Sequence, residues 1–188
     1  ASSVAGSHGK FGFFSSEEAY YRKIADELGI ICTSAPGEAL RYVRHPLVFL
    51  MEAADDICYE IMDIEDAHKL KLLTFSETEE LLLGFFDDED RAAIRRRVEE
   101  DGVTDVNEKV VYLRACVVGK LESECVRAFV DHEAEILAGE FTQSLISAIS
   151  PRQRDAYKRC TKVSREKIYQ SRVVLDVELS GYKIMETL

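Results

Sequence analysis

A run of residues from about 46 to 71 constrains the fold of this chain more than any other feature. No glycine interrupts it, and its single proline, Pro46, stands at the first position, where a helix tolerates a residue without an N–H because that group would have no partner there. Apolar residues recur three and four positions apart, which predicts an amphipathic α-helix. We expect its core face to consist of Leu50, Ala54, Ile57, Ile61 and Ile64.

The other side of this helix carries acidic residues and one tyrosine. At about 100° per residue, they share a stripe about 80° wide. Its members are Glu52, Asp55, Tyr59, Asp63 and Asp66. Carboxylates one turn apart repel each other by a few tenths of a kcal/mol, so the stripe needs either water or a cation. Periodicity alone leaves both interpretations open: a solvated acidic face, or a metal or ligand site with Tyr59 as a platform.

Capping and turn signals divide the rest of the chain into further helices. The first expected helix begins at Ser15 or Ser16 and ends at Gly29. A short helix begins at a capping box of Ser76 and Glu79 and ends at Gly84, and the next begins at Asp87 and ends at Gly102. A long helix runs from an Asn107 cap to about Leu137, and the last runs from Ser150-Pro151 to about Gln170. Residues 172–179 are rich in β-branched side chains, which favours a short strand or an extended connection.

Composition supports the same fold class. The 188 residues include only 3 Pro and 10 Gly and no Trp, which argues against a β-sandwich with many turns and for long helices. We therefore expect an all-α architecture, with at most a short strand near 172–179. The length suits one domain, or one large piece of a bigger one.

Charge and cysteine content exclude several functional classes. A net charge of −11 suits a sequence-independent grip on nucleic acid poorly, although it leaves room for a local basic patch. Five cysteines without a Cys-x-x-Cys pair fit neither a disulfide framework nor a zinc knuckle, and most stand among apolar residues, as buried thiols of a reducing compartment do. The sequence has neither a membrane-spanning run nor a signal peptide. We expect a cytoplasmic protein without membrane contact.

Several motifs point to one family. The helical segment contains HPLVFLMEAADDICYEIMDIEDA at residues 45–67, and KFGF followed by SEEAY stands near the start. RAFVD and LAGEF follow in the second half, and ELSGY stands near the end. In this order the motifs resemble those of the bacterial dGTP triphosphohydrolases of the HD-domain superfamily. The resemblance covers nearly the whole chain, with residues 72–106 the least matched.

The resemblance implies an activity and its requirements. Members of this family hydrolyse dGTP to deoxyguanosine and tripolyphosphate with a divalent metal, Mg²⁺ or Mn²⁺, both of which favour oxygen ligands. They form homo-oligomers, often hexamers, and some respond to single-stranded DNA or nucleotides. Two alternatives stay open: a triphosphohydrolase that accepts several dNTPs, and a non-catalytic helical assembly module or degenerate paralogue.

The resemblance also implies roles for individual residues. Asp55 matches a metal ligand, Tyr59 the residue that packs on the deoxyribose, and Asp63 the acceptor for the sugar 3′-OH. Lys10 matches a lysine that binds the triphosphate, and Glu178 a glutamate that accepts from guanine N1 and N2. Without the resemblance, the sequence is equally consistent with Lys10 as an exposed loop lysine and with Glu178 as an ordinary surface carboxylate.

The sequence departs from the family at the metal site. The family needs a lone His and a His-Asp doublet, followed by a catalytic His and Glu. The four histidines here are His8, His45, His68 and His132, and none precedes an aspartate. We therefore expect residues 1–188 to form one incomplete helical domain, a middle-to-C-terminal piece that lacks the His and His-Asp region and the last helices. Such a piece alone is predicted to be inactive.

Overall fold

The computed structural model describes residues 13–187, apart from the side chain of Val173, and these residues are helical with irregular connections. The helices are α1 (Glu18–Leu28), α2 (Pro46–Lys69), α3 (Phe75–Leu83), α4 (Asp88–Glu100), α5 (Val106–Asp131), α6 (Glu133–Ala138), α7 (Leu145–Ala148), α8 (Pro151–Val163) and α9 (Arg172–Thr187). Extended pairing in this range is limited to one antiparallel bridge, between Cys32 and Tyr42. The predicted all-α class is confirmed.

Helices α2 and α5, the two longest, pack against each other at the centre of the molecule. Helices α3 and α7 pack on α5, and α8 packs on α2 and continues into a π-helical turn, Ser164–Ile168, that also contacts α2. The largest fully buried side chains are Phe85, Ile61, Ile64, Leu82, Leu121, Ile136 and Leu145. Burying each such side chain stabilises the fold by about 1.5–3 kcal/mol. No helix within residues 13–187 is long and apolar enough to cross a membrane.

The core face of α2 is rotated relative to the prediction. Its buried apolar residues are Phe49, Ala53, Ile57, Ile61, Ile64 and Ala67. Leu50 and Ala54, expected in the core, are exposed. The aromatic ring of Phe49 explains the rotation, since it packs edge-on against Phe141 at 5.4 Å between centroids. Burying this ring turns Leu50 outward.

Several helix starts differ from the predicted ones. Thr74 and Glu77 form the capping box of α3, in place of Ser76 and Glu79. Asp105, in place of Asn107, caps α5: its Oδ1 accepts from the backbone N–H groups of Asn107 and Glu108 at 2.8 and 3.0 Å. In both cases the capping residue lies two positions before the predicted one. Its side chain accepts from the second or third backbone N–H group after it, which is the contact that an N-cap residue makes.

The remaining boundaries are partly as predicted. No serine side chain caps the first helix; the Glu17 carboxylate accepts from the Phe14 N–H at 2.9 Å instead. Gly29 ends α1 in the left-handed conformation, and the Asp87 side chain caps α4. The helix expected to reach Leu137 breaks at His132, between α5 and α6.

The strand or extended connection expected at residues 172–179 is wrong, because these residues form the first half of α9. The Ser171 Oγ accepts from the Val174 N–H at 3.4 Å, and the Ser171 carbonyl accepts from the Leu175 N–H at 3.0 Å. β-Propensity spans only about 1 kcal/mol and depends on context. Residues 13–187 offer this segment no partner strand, so the local cap determines the conformation.

The cysteines are less buried than expected. All five lie within the described residues and their thiols are free. Cys125 and Cys160 are buried and Cys116 is half-buried, whereas Cys32 and Cys58 are exposed. Burial raises the pKa of Cys125 to about 11 and that of Cys160 to about 12. The two buried thiols are therefore inert at neutral pH.

Candidate functional site

Three predicted site residues stand at successive turns of α2. Asp55 and Tyr59 are exposed, with 68% of Tyr59 accessible to solvent, and Asp63 is half-buried. A rise of 1.5 Å per residue sets neighbouring members about 6 Å apart along the helix axis. Helix α2 thus offers a carboxylate, an aromatic ring and a second carboxylate along a line about 12 Å long.

Cations relieve the repulsion at both ends of the acidic stripe. Arg44 forms an ion pair with Glu52, and the Lys69 Nζ lies 3.6 Å from the Asp66 carboxylate. Within residues 13–187, no Lys, Arg or His lies within 4.0 Å of Asp55. Asp55 therefore keeps an uncompensated negative charge at the surface, available to a cation from outside the described residues.

A tyrosine from a distant turn holds Asp63. The Tyr169 hydroxyl, directly after the π-helical turn, donates to Oδ2 of Asp63. This hydrogen bond, followed by partial burial, raises the pKa of Tyr169 well above its usual value. The phenol therefore stays protonated and continues to donate at physiological pH. Asp63 keeps its other oxygen, Oδ1, for a further donor.

Glu60 anchors the neighbouring face of α2. This carboxyl group is 8% exposed and accepts from the Thr161 and Ser164 hydroxyls, both at 2.7 Å. Burial raises the pKa of Glu60, although both hydroxyls act in the opposite direction. These contacts tie α2 to α8 and to the π-helical turn that carries Tyr169.

A second tyrosine fixes the turn of α2 that bears Asp55. The Tyr157 hydroxyl on α8 donates to the Asp56 carbonyl oxygen at 2.9 Å. Burial raises the pKa of Tyr157 well above its usual value, so this donor also persists. The backbone beside Asp55 is therefore positioned from α8.

The arginines of the long helices have structural roles. The Arg114 Nε lies 2.9 Å from Oε2 of buried Glu65, without the alignment of a hydrogen bond, so the contact is electrostatic. Lys69 approaches the other oxygen of Glu65 at 2.5 Å. Arg127 pairs with Glu124 and donates to the Ser150 hydroxyl at 2.7 Å. These two arginines thus form ion pairs within the fold.

Of the two outlying site residues, the structure describes only Glu178, and it does not join the line on α2. Glu178 is exposed on α9, without a hydrogen bond or ion pair to the described residues of α2. Lys10 lies outside the described residues. Their predicted roles stay predictions. Tyr169 is the residue that the sequence analysis missed, since its contact with Asp63 joins positions 106 apart and no local pattern marks it.

Apolar side chains flank Asp55 and Tyr59 on the same exposed face. Met51 is 72% exposed, Leu47 58% and Met62 48%. Next to them, the Tyr59 ring offers one of its faces to a ligand. A site of this kind combines an apolar surface with a few polar groups that orient the ligand.

The described residues do not fit a divalent metal by themselves. Between residues 13 and 187, no group of three or more His, Cys, Asp or Glu side chains could hold a metal ion. Asp55 supplies one oxygen donor, and a hard cation takes about six. The line on α2 can thus contribute one ligand to a shared site.

Comparison with known proteins identifies relatives of this chain. No protein-family model matches the chain. A deoxyguanosinetriphosphate triphosphohydrolase-like protein of Pseudomonas aeruginosa is 35% identical over 179 residues, which cover 95% of this chain and 39% of the relative. A protein of the same name from Synechocystis is 31% identical over 188 residues, covering 95% and 38%.

A deoxyguanosinetriphosphate triphosphohydrolase of Salmonella typhimurium is 30% identical over 197 residues, covering 95% of this chain and 35% of the relative. The chain therefore spans less than two fifths of the length of these curated relatives. The alignments confirm the resemblance that the motifs predicted.

Proposed function

Because the chain is related over nearly its whole length to the deoxyguanosinetriphosphate triphosphohydrolases, we propose that it forms the sugar-recognising part of an enzyme that hydrolyses dGTP. The observation that carries this proposal is the line of exposed Asp55, exposed Tyr59 and half-buried Asp63 on α2. Its chemistry suits a nucleotide: a flat aromatic ring for the sugar, and an oriented carboxylate for a hydroxyl group.

The proposed reaction releases the whole triphosphate. The oxygen of a water molecule bonds to the α-phosphorus of dGTP, and the bond from that phosphorus to O5′ breaks. One proton of the water goes to O5′, which yields deoxyguanosine and tripolyphosphate. The described residues account for recognition of the sugar rather than for bond breaking.

Tyr59 and Asp63 divide the recognition of deoxyribose. The Tyr59 ring packs against the sugar and leaves no room for a 2′-hydroxyl group, which favours deoxynucleotides over ribonucleotides. Asp63 accepts from the 3′-hydroxyl through the oxygen that Tyr169 leaves open. Hydrogen bonds to a charged acceptor contribute about 1.5–3 kcal/mol each.

Lys10 and Glu178 are proposed to bind the two ends of the nucleotide. Lys10 neutralises charge on the triphosphate, and the Glu178 carboxylate accepts from guanine N1–H and N2–H. Both proposals rest on the family motifs around these positions. Glu178 is exposed on α9, which leaves its carboxylate open to a base.

We further propose that Asp55 supplies one ligand of a Mg²⁺ or Mn²⁺ ion. When bound, such an ion polarises phosphate oxygens and activates water. The other ligands, a lone His and a His-Asp pair, are expected from protein outside these residues. The 188 residues alone are therefore expected to be inactive, as an incomplete helical domain of the enzyme.

We base the proposed location, assembly and regulation of the protein on the resemblance to the family. We propose a cytoplasmic homo-oligomer, for example a hexamer, that responds to a nucleotide or single-stranded DNA effector. Two alternatives stay open. A broader dNTP triphosphohydrolase would use the same sugar contacts but would not depend on Glu178, whereas a non-catalytic assembly module would keep the fold without turnover.

The Tyr59→Ala variant tests sugar recognition. The protein encoded by the complete reading frame is assayed with dGTP and GTP, and with dATP, dCTP and dTTP, in the presence of Mn²⁺. The preference for dGTP over GTP is expected to fall about tenfold or more, since the ring no longer excludes a 2′-hydroxyl.

Leu50→Ala, an exposed residue on another side of the same helix, serves as the control and is expected to keep the preference. A Tyr59→Ala protein that discriminates against GTP as well as the wild type does would contradict the proposed role of the ring. Comparable turnover of all four deoxynucleotides would favour the broader enzyme, and absence of turnover with any of them the assembly module.

A further inference from the structure

One turn of the chain is wider than an α-helix, namely the π-helical turn Ser164–Ile168 that directly follows α8. The Tyr169 N–H donates to the Ser164 carbonyl oxygen at 3.0 Å, five residues back. In an α-helix this bond joins residues four apart, so Ile168 would stand one turn above Ser164. The wider turn places Tyr169 there instead.

A π-helical turn is rare, and contacts with two other helices hold this one in place. At its start, Ser164 is fully buried, and its hydroxyl donates to Oε1 of Glu60 on α2 at 2.7 Å. Further along, the Lys167 Nζ donates to Oε1 of Glu77 on α3 at 2.6 Å. The turn is therefore fixed against α2 and α3 before the chain reaches Tyr169.

The contacts at the two ends of this turn form a closed ring with α2. Glu60 and Asp63 stand one turn apart on α2. Ser164 donates to Glu60, and the Tyr169 hydroxyl donates to Asp63. The backbone bond between Tyr169 and Ser164 closes the ring. Hydrogen bonds in one network depend on each other, so the loss of one is expected to loosen the next.

We propose that the π-helical turn positions the Tyr169 hydroxyl for the contact with a ligand 3′-hydroxyl group, and that Ser164 and Glu60 are positioning residues that hold the turn. Without the bond from Ser164 to Glu60, the turn can relax to α-helical geometry. Tyr169 would then rotate by about 100° around the helix axis, and its hydroxyl would leave Asp63. The proposal rests on the proposed function of Asp63 as acceptor for the sugar. It extends sugar specificity from α2 to a second helix.

Thr161 provides a matched control for Ser164. Its hydroxyl donates to the other oxygen of Glu60, also at 2.7 Å, but from α8 and before the π-helical turn. Thr161→Val keeps the shape of the side chain and removes this donor. Thr161→Val and Ser164→Ala each remove one hydrogen bond to a buried carboxyl group, so we expect similar losses of stability. Only Ser164→Ala affects the turn that carries Tyr169.

Carbon NMR spectra of the 188-residue chain, isotope-labelled at the tyrosine Cζ atoms, test the positioning without a nucleotide. Tyr169→Phe identifies the Tyr169 signal by its absence. In Ser164→Ala this signal is expected to move toward that of exposed Tyr182, because the phenol no longer donates to a carboxylate. In Thr161→Val it is expected to stay in place. Circular dichroism verifies the fold, and Ser164→Cys, a weaker donor of similar shape, replaces Ser164→Ala if that variant does not fold.

Kinetics of the protein encoded by the complete reading frame test the consequence for specificity. The preference for dGTP over 2′,3′-dideoxyguanosine triphosphate is expected to fall about fivefold or more in Ser164→Ala and to stay unchanged in Thr161→Val. A double-mutant cycle with Tyr169→Phe separates positioning from general destabilisation. Because Ser164 acts through Tyr169, the doubly substituted protein is expected to have the same preference as Tyr169→Phe alone.

Three results would overturn the proposal. They are an unchanged Tyr169 signal in the Ser164 variant, an equal shift of that signal in Thr161→Val, and additive effects of the two substitutions in the cycle. A wild-type enzyme without a preference for the 3′-hydroxyl group would instead contradict the proposed function of Asp63. The NMR signal would still show whether Ser164 holds Tyr169, so the two failures are distinguishable.

Discussion

At the scale of single residues, Asp63 is oriented by a phenol that cannot ionise near neutral pH. The Tyr169 hydroxyl donates to one oxygen of Asp63, and this contact raises the tyrosine pKa. An oriented carboxylate accepts from a ligand hydroxyl without first losing side-chain freedom. Tyr169 is thus a positioning residue for the proposed sugar contact.

The Tyr169→Phe variant removes this donor and keeps the ring. In the active protein we expect kcat/KM for dGTP to fall about tenfold, and the preference for dGTP over its 3′-deoxy analogue to shrink. The exposed Tyr182→Phe is the control and should change neither. An unchanged preference for the 3′-hydroxyl in Tyr169→Phe would show that Tyr169 does not position Asp63.

Glu60 makes stability depend on pH in a defined direction. Burial raises its pKa above the ordinary value of 4.5, so the folded chain retains a proton where the unfolded chain has lost it. The stability from this group is complete below about pH 4.5 and is lost as the pH rises through the folded-state pKa.

In Glu60→Gln, the amide keeps the shape but does not titrate. The free energy of unfolding of this variant, relative to wild type, is expected to increase between about pH 4 and about pH 7. Urea denaturation at several pH values measures the difference, with the exposed Glu122→Gln as the reference for loss of one charge. A difference that decreases as the pH rises would contradict the proposed effect of burial.

Sequence could predict the candidate line but not its support. Helical spacing placed Asp55, Tyr59 and Asp63 on one stripe with Glu52 and Asp66, and the family motifs singled out these three. A helix of this length was clear from its apolar period. Tyr169 and Glu60 could not be predicted as partners of the site, since their contacts join positions about a hundred residues apart and depend on how α8 and its π-helical turn pack.

At the scale of elements, caps determine where the helices begin. Asp105 satisfies two N–H groups of α5 with one carboxylate oxygen, whereas Asn107, the predicted cap, lies inside the helix. Local patterns identified the existence of this helix and missed its start by two residues. Both side chains are capping types, so only the backbone geometry distinguishes them.

Asp105→Ala and Asn107→Ala form a matched pair at this helix start. The first is expected to lower the free energy of unfolding by about 1 kcal/mol, since it removes the cap. The second should change it by less than about 0.5 kcal/mol. Chemical denaturation of both variants measures the difference. Equal effects, or the larger effect at Asn107, would contradict this assignment of the cap.

At the scale of the whole molecule, the apolar core and the candidate site depend on different parts of the protein. Helices α2 and α5 bury a continuous apolar core within the described residues. The candidate site lies on the outer face of α2, and the chain spans less than two fifths of its curated relatives. The all-α class and the family could be predicted because periodicity and motifs are local, whereas a shared metal site needs groups from elsewhere.

The central claim is that Asp55 belongs to the active site of a dGTP triphosphohydrolase. Its most direct test measures deoxyguanosine and tripolyphosphate formed from dGTP, with Mn²⁺, by the protein encoded by the complete reading frame and by its Asp55→Asn variant. Asp66→Asn, an exposed carboxylate of the same stripe, is the control, and the 188-residue chain is assayed beside them.

The account predicts equal amounts of both products from the wild type, a loss of at least about a hundredfold in Asp55→Asn, nearly full activity in Asp66→Asn, and no turnover by the 188 residues alone. Full activity of Asp55→Asn, or turnover by the 188-residue chain, would contradict it.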